Sequence, residues 1–184
     1  MSDALLVFAG LLAAVNPLAQ AARPEPAEGS QRPSPLLAAA VAAVTGLVVL
    51  VLREPFLDLL ELSASSFQLA AGFVMIAAGV PVLLYGRAQA LDIEGDETRS
   101  RAEALAWYAL NPAVLAGLVA FPERSNLGVT IAAFAVALAE AAITSLLRLK
   151  RGAPLPFADA GARLTAFVLM AIGASLAVSG VQSI

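Results

Sequence analysis

Long apolar stretches alternate with short polar segments along this chain. Six stretches are close to the length that an α-helix needs to cross the hydrocarbon core of a membrane, about 20 residues with a range of about 17–25. They are residues 4–22, 36–52, 67–86, 104–121, 127–147 and 164–181. None alternates strictly between apolar and polar positions, which disfavours the strands of a membrane β-barrel. The pattern therefore predicts an all-α integral membrane protein with six transmembrane helices.

The composition agrees with burial in lipid and limits the available chemistry. Hydrophobic residues make up 60% of the chain and charged residues 14%, whereas a soluble domain has about 45–50% and about 25%. The chain has no cysteine and no histidine, which excludes disulfides, thiolate metal sites and the commonest general base. A net charge of −3 disfavours nucleic acid as a partner. We expect no cofactor, no metal and no enzymatic activity, with the lipid bilayer as the surroundings.

Lysine and arginine are distributed unequally between the two sides that six spans create. Nine lie in the first, third and fifth loops, and two, Arg53 and Arg124, lie on the other side. Because cytoplasmic loops carry the excess of cations, both termini are predicted to be non-cytoplasmic. The alternative interpretation of residues 4–22 as a cleaved signal peptide is disfavoured, since Asp3 and no cation precedes the stretch.

The two halves of the chain resemble each other. Residues 73–79 (FVMIAAG) match residues 167–173 (FVLMAIG) at an offset of 94, and the Asn-Pro dipeptides at 16–17 and 111–112 match at an offset of 95. Two matches at nearly one offset indicate a duplicated three-helix unit. Since each unit has an odd number of spans, the second is inverted in the membrane. The predicted parts are a first repeat over 1–86, a cytoplasmic linker over 87–103 and a second repeat over 104–184.

Each Asn-Pro dipeptide interrupts a predicted span. A proline inside a helix removes one N–H donor and clashes with the carbonyl four residues earlier. In lipid such a break survives only where protein or a water-filled cavity covers it. We therefore expect Asn16, Pro17, Asn111 and Pro112 to bind a translocated solute at the interface between inverted repeats, as in many transporters. The alternative is a pair of kinks whose asparagines only satisfy loose backbone groups.

Glu140 lies well inside the fifth predicted span. An ionisable group at that depth indicates a functional role by default. We expect it to join Asn16 and Asn111 at the solute site, as a proton carrier or as a counter-ion for a cationic solute. The alternative is a protonated carboxyl that bonds to a neighbouring helix. At an offset of 94 its counterpart is Gly46, which is not acidic.

Glycines recur at seven-residue spacing in the third and sixth spans. They are Gly72, Gly79 and Gly86 in the third span and Gly173 and Gly180 in the sixth. This spacing places each set on one helix face, where small residues permit close helix packing. The same faces permit self-association into a homo-oligomer.

Several motifs are shared with a known family. They are Asn16-Pro17, Asn111-Pro112-Ala113, the positions Phe67, Ala70 and Gly72 at the start of the third span, and Arg163 before a small-residue helix that ends at Gly180. With the six spans, they make nearly the whole chain resemble the MarC family of bacterial inner-membrane proteins, which is grouped with the LysE-like transporters. The chain departs from that family at Ala19 and Ala22, where members usually have glycine and proline. The resemblance implies a multi-pass, transporter-like protein of the cell inner membrane and implies no particular substrate.

From these patterns we expect a membrane transporter or exporter of a small polar solute. Its site is predicted between Asn16, Asn111 and Glu140, and transport is predicted to occur by rocking of one repeat against the other. One alternative is a passive channel in which the Asn-Pro elements form a constriction. Another is a non-transporting membrane scaffold, for which the glycine faces are the important feature.

Overall fold

The described part of the chain is helical. The computed structural model describes residues 3–16, 35–92, 111–151 and 157–183, and every regular element within these residues is a helix. In chain order they are α1 (Asp3–Val15), α2 (Pro35–Leu59), α3 (Ala64–Asp92), α4 (Pro112–Ala120), the 3₁₀ turn η1 (Phe121–Glu123), α5 (Leu127–Arg151) and α6 (Ala158–Gln182). The all-α prediction is confirmed for these residues.

Four of the described helices, α2, α3, α5 and α6, are long and apolar enough to cross a membrane. Only 22–33% of the residues in their most apolar windows are buried inside the protein. Their outward-facing side chains are large and apolar, for example Val51, Leu164 and Phe167 at 68%, 65% and 59% exposure. Because so continuous an apolar surface requires lipid rather than water around it, these helices identify a multi-pass membrane protein.

The helices of the first and fourth predicted spans are short. α1 has 13 residues, and α4 with η1 extends from Pro112 to Glu123. Their burial is high, with seven of the 13 residues of α1 and seven of the nine residues of α4 buried. The remaining residues of these two spans, 17–22 and 104–110, lie outside the described residues. Within the described residues, the short helices therefore form the centre of the bundle and the long helices surround them.

Local backbone chemistry explains where the short helices end and begin. Asn16 has a φ of 47°, a left-handed conformation that asparagine tolerates better than most residues, so α1 ends at Val15. Asn111 is non-helical, with φ −56° and ψ 116°. Pro112 follows as the first helical residue, where a missing N–H costs no intrahelical hydrogen bond. The interpretation of Pro112 as a residue inside a helix is wrong, because it begins one.

α3 extends beyond the predicted third span at its carboxyl end. The helix continues to Asp92, so residues 87–92 of the predicted linker are helical. The rest of that linker, residues 93–103, lies outside the described residues. α2 likewise continues to Leu59, which places Arg53 inside a helix rather than in a loop.

α3 and α6 pack antiparallel through their glycines. A Cβ atom on Gly72 would lie 2.4 Å from the carbonyl oxygen of Gly173, and one on Gly173 would lie 2.7 Å from the carbonyl oxygen of Gly72. A Cβ on Gly180 would lie 2.7 Å from backbone atoms of both Ser65 and Leu69. Only residues without a side chain allow two helix backbones to approach this closely. These glycines therefore set the distance between α3 and α6.

The two remaining glycines of the predicted set lie on α3. A Cβ on Gly79 would lie 2.6 Å from Cγ of Met170 and 3.0 Å from the carbonyl oxygen of Ala166. Gly79 therefore extends the close contact with α6 by two turns beyond Gly72. Gly86 lies within the last turns of α3.

Side-chain exposure repeats between the two halves. Phe73 and Phe167, which are 94 residues apart, are 60% and 59% exposed, and Met75 and Leu169 at the same offset are both buried. Exposure along α3 and α6 therefore follows the sequence match position by position. The two helices present equivalent faces to each other and to lipid.

Side-chain exposure also agrees between α2 and α5, at an offset of 95 residues. Ala38 and Ala42 of α2 are buried at 7% and 3% exposure, and Ala133 and Ala137 of α5 at 3% and 0%. The same offset pairs Glu140 with Thr45, whereas an offset of 94 pairs it with Gly46.

Gly173→Ala tests the packing of α3 against α6. The new methyl would press on the backbone of Gly72, so the helices must separate, at a cost of about 1–3 kcal/mol. Gly128→Ala is the matched control, because its Cβ would meet only the Asn126 side chain, at 3.3 Å. We expect thermal unfolding in detergent to begin at a lower temperature for Gly173→Ala and to change little for Gly128→Ala. Equal unfolding temperatures for the two variants would contradict this packing.

Candidate functional site

α1 ends in the interior of the protein, where its last carbonyl groups need partners. Asn16 is only 6% exposed, and its backbone N–H donates to the carbonyl of Leu12 at 3.0 Å. The next residue, Pro17, has no N–H to donate to the carbonyl of Ala13. Pro17 itself lies outside the described residues. The end of α1 is thus a concentration of acceptor groups away from water.

The Asn16 side chain connects the end of α1 to α6. Its Nδ2 donates to the carbonyl of Ala162 at 3.4 Å. The Thr165 hydroxyl lies 2.8 Å from Asn16 Oδ1 and 2.9 Å from the Ala162 carbonyl oxygen, and its single proton serves one of them. Hydroxyl, carboxamide and carbonyl therefore form one polar group between α1 and α6.

Asn111 connects the beginning of α4 to the end of α1. Its Oδ1 accepts from the N–H of Ala113 at 3.0 Å, which is a helix N-cap. Its Nδ2 donates to the carbonyl of Ala14 at 2.9 Å. That carbonyl is one of the last four of α1, which receive no hydrogen bond within an ideal helix. One carboxamide thereby satisfies a donor of one helix end and an acceptor of the other.

The ends of α1 and α4 that carry Asn16 and Asn111 therefore meet, at a place where Asn16 is buried, Asn111 half-buried and Pro112 exposed. We call this place the helix junction and define it by Ala14, Asn16, Asn111, Pro112 and Thr165. The carboxyl end of α1 carries partial negative charge and the amino end of α4 partial positive charge. The junction thus combines carbonyl acceptors, amide donors and two carboxamides, a set that suits a small polar solute.

Glu140 does not belong to the helix junction. It is exposed on α5, and it forms no hydrogen bond or ion pair within the described residues. The buried polar side chains of the described residues belong to Asn16, Arg53, Gln68 and Thr130, with no carboxyl among them. These residues also contain no group of three or more acidic residues that suits a metal ion. The sequence predicted three site residues together, and the structure brings two of them together.

Arg53 holds the far end of α4, and sequence reasoning missed this role. It is 8% exposed, its Nε donates to the carbonyl of Val119 at 2.8 Å, and its Nη2 pairs with Glu123. A cation at the carboxyl end of a helix is favoured by the partial negative charge there. A signal existed in the sequence, since Arg53 directly follows an apolar span on the side with few cations.

Arg124 attaches the same end of α4 to α6. Its Nη2 donates to the Ser179 hydroxyl and to the carbonyl of Ser175. Within the described residues it forms no ion pair. Two arginines therefore hold the chain after α4. Arg53 is paired with Glu123, whereas no carboxylate within the described residues neutralises Arg124.

Asn111→Ala tests the link between α1 and α4. Loss of the N-cap lowers the free energy of unfolding by about 0.5–2 kcal/mol. Loss of the donor to the Ala14 carbonyl lowers it by about 1–3 kcal/mol. Asn111→Ser is the matched control, because serine is also a good N-cap but is too short to reach α1. We expect both variants to unfold at a lower temperature, with the larger decrease for alanine. Two unchanged unfolding temperatures would contradict the described link.

Arg53→Met tests the anchoring of the far end of α4. This variant removes the charge-assisted hydrogen bond to the Val119 carbonyl, worth about 1.5–3 kcal/mol of unfolding free energy. The ion pair contributes less, because the Glu123 side chain is 42% exposed and stays solvated without Arg53. We expect Arg53→Met to unfold at a clearly lower temperature and Glu123→Gln, the matched control, to change little. An unchanged unfolding temperature for Arg53→Met would contradict the anchoring role.

Comparison with known proteins adds no family to this description. No protein-family model, no curated protein and no solved structure matches the chain. Function is therefore inferred from the helix junction and from the helices that enclose it.

Proposed function

We propose that this protein is a membrane transporter that moves a small polar solute past the helix junction. The observation that carries the proposal is the half-buried hydrogen bond from Asn111 Nδ2 to the carbonyl of Ala14, which connects the ends of two short helices. Helices that are interrupted in the middle of a membrane protein commonly bind the transported solute with their free backbone groups. Asn16 and Asn111 would contact the solute with their carboxamides, and Pro17 and Pro112 would keep the helix ends open.

The proposed framework is a pair of inverted three-helix repeats. The sequence matches at offsets of 94 and 95 support it, as do the equal exposures of Phe73 and Phe167. In this framework α1 and α4 lie within the first and fourth of six spans. Transport would occur by rocking of one repeat against the other around the junction. The close glycine contact of α3 and α6 would be the interface on which the repeats rock.

The proposed orientation follows the distribution of cations and the resemblance to the MarC family. Both termini would be non-cytoplasmic, with residues 87–103 facing the cytoplasm. The membrane would be the bacterial inner membrane. Arg53 and Arg124 would then lie at the outer side, where they hold the far end of α4.

The chemistry of the junction indicates the kind of solute. Carboxamides, a hydroxyl and backbone groups supply both donors and acceptors and no formal charge. A neutral or zwitterionic solute with hydrogen-bonding groups at both ends matches this set. Coupling through Glu140 is no longer part of the proposal, because this side chain is exposed on α5.

A passive channel is the second candidate. The observation that favours it is the absence of a buried carboxyl within the described residues, since proton-coupled transporters use such groups inside the membrane. A channel would use the two asparagines as a polar constriction rather than as a binding site that closes.

Thiol labelling tests the proposal without knowledge of the solute, because the chain has no cysteine. Thr165→Cys places a thiol beside Asn16, and Phe167→Cys on the same helix is the control that faces lipid. Charged, membrane-impermeant thiol reagents are applied to vesicles of both orientations. We expect Thr165→Cys to react from either side and Phe167→Cys to stay unlabelled, because thiols react as thiolates in water.

Swelling of proteoliposomes in a glycerol gradient separates the two candidates. Proteoliposomes that contain a transporter with a closing site should swell no faster than empty liposomes. Proteoliposomes that contain a passive channel should swell faster. Absence of labelling of Thr165→Cys from both sides would contradict both candidates, because the junction would then be dry. A non-transporting scaffold would be the remaining interpretation.

A further inference from the structure

Gln68 is a buried polar side chain on α3. It is 9% exposed, and within the described residues it forms no hydrogen bond. A buried carboxamide without a hydrogen bond carries a free-energy penalty, and such groups in native proteins commonly mark a ligand or water site. The hydrogen bonds described at the helix junction connect α1 with α6 and α1 with α4, and Gln68 takes part in none of them.

Gln68 lies on the face of α3 that packs against α4. Ala71, one turn further along α3, packs with Ala116 and Ala120 of α4. Gly117 of α4 lies against the Met75 side chain, one turn beyond Ala71 on α3, so the two helices are antiparallel here. The residue one turn before Ala71 therefore lies beside the turn that follows Ala120. That turn is η1, which leads directly to Arg124.

A second set of contacts also places Arg124 near this part of α3. Arg124 donates to Ser175 and Ser179 of α6. Gly180, which follows Ser179 on α6, is in close contact with α3, since a Cβ on Gly180 would lie 2.7 Å from the backbone nitrogen of Leu69. Leu69 directly follows the buried glutamine in the chain. The packing of α3 with α4 and the packing of α3 with α6 thus agree on the position of Arg124 near Gln68.

We propose that Gln68 and Arg124 form an oxyanion-binding site at the corner between α3, α4 and α6. The two residues together supply a carboxamide NH₂ and a guanidinium group, both of which are donors that match carboxylate or phosphate oxygens. Arg124 is available for this role because its charge is not neutralised by a carboxylate within the described residues. Arg53, the other arginine near η1, is already paired with Glu123.

The site is separate from the helix junction and does not depend on transport. Carboxylate and phosphate oxygens occur on soluble anions and on anionic lipid headgroups, and both sources present the same chemistry to the two donors. The experiment therefore has to identify the charge preference first and the source second.

Charge-selective labelling of Gln68→Cys measures the preference. The rate is compared for an anionic sulfonatoethyl and a cationic trimethylammonioethyl methanethiosulfonate, each normalised to its rate with free cysteine. We expect the anionic reagent to be favoured at least about fivefold, because a nearby guanidinium attracts it. In the Arg124→Gln background we expect this preference to disappear. Ala71→Cys, one turn away and 1% exposed, is the control that should stay unlabelled.

Competition then identifies the source of the oxyanion. Potassium phosphate and potassium acetate, compared with potassium chloride at equal ionic strength, should slow the labelling if a soluble anion occupies the site. Phosphatidylglycerol vesicles, compared with phosphatidylcholine vesicles, should slow it if a lipid headgroup does. Protection by either source supports the proposal.

Three results would overturn the proposal. One is that Gln68→Cys reacts with neither reagent, although the variant elutes from a size-exclusion column at the same volume as the unchanged protein and unfolds at the same temperature. Another is a reaction without charge preference, or with a preference that remains in Arg124→Gln. The third is no protection by phosphate, acetate or phosphatidylglycerol. None of these results affects labelling of Thr165→Cys, so failure of this site and failure of the proposed function are distinguishable.

Discussion

A helix that ends inside a membrane protein leaves backbone groups that water cannot reach, and this constraint organises the molecule. α1 ends at the buried Val15, and α4 begins at Pro112, which is exposed, and enters the buried centre at Ala113. The carboxamide of Asn111 satisfies the N–H of Ala113 and the carbonyl of Ala14 together. Because every unsatisfied group in such surroundings costs several kcal/mol, the two short helices are stable only as partners.

The other end of α4 meets the same constraint with charged side chains. Arg53 donates to the carbonyl of Val119, and Arg124 holds the following turn against α6. α4 is therefore fixed by neutral groups at its amino end and by cations at its carboxyl end, which matches the direction of its dipole. Four long helices enclose this centre, and the glycines of α3 and α6 bring their backbones close enough to close it.

Much of this arrangement could be predicted from the sequence, because length and hydrophobicity determine which segments are helical in lipid. The long helices, the glycine faces and the interruption at Asn16 and Asn111 all follow from local pattern. The position of Glu140 could not be predicted, since depth along a span does not specify which face of α5 a residue occupies. The position of Arg53 after an apolar span signalled its importance, but neither its partner on α4 nor the burial of Gln68 could be predicted, because both depend on which helix lies beside α2 and α3.

The meeting of α1 with α4 is the central claim, and cross-linking tests it directly. Ala14→Cys combined with Ala113→Cys, which leaves Asn111 unchanged, is treated in lipid vesicles with a short bifunctional thiol reagent, after which the chain is cut at a protease site inserted between residues 93 and 103. The account predicts that the two fragments stay joined, whereas fragments from the control pair Ala14→Cys and Val178→Cys, the latter exposed on α6, separate. Separation of the fragments in the first pair would contradict the account.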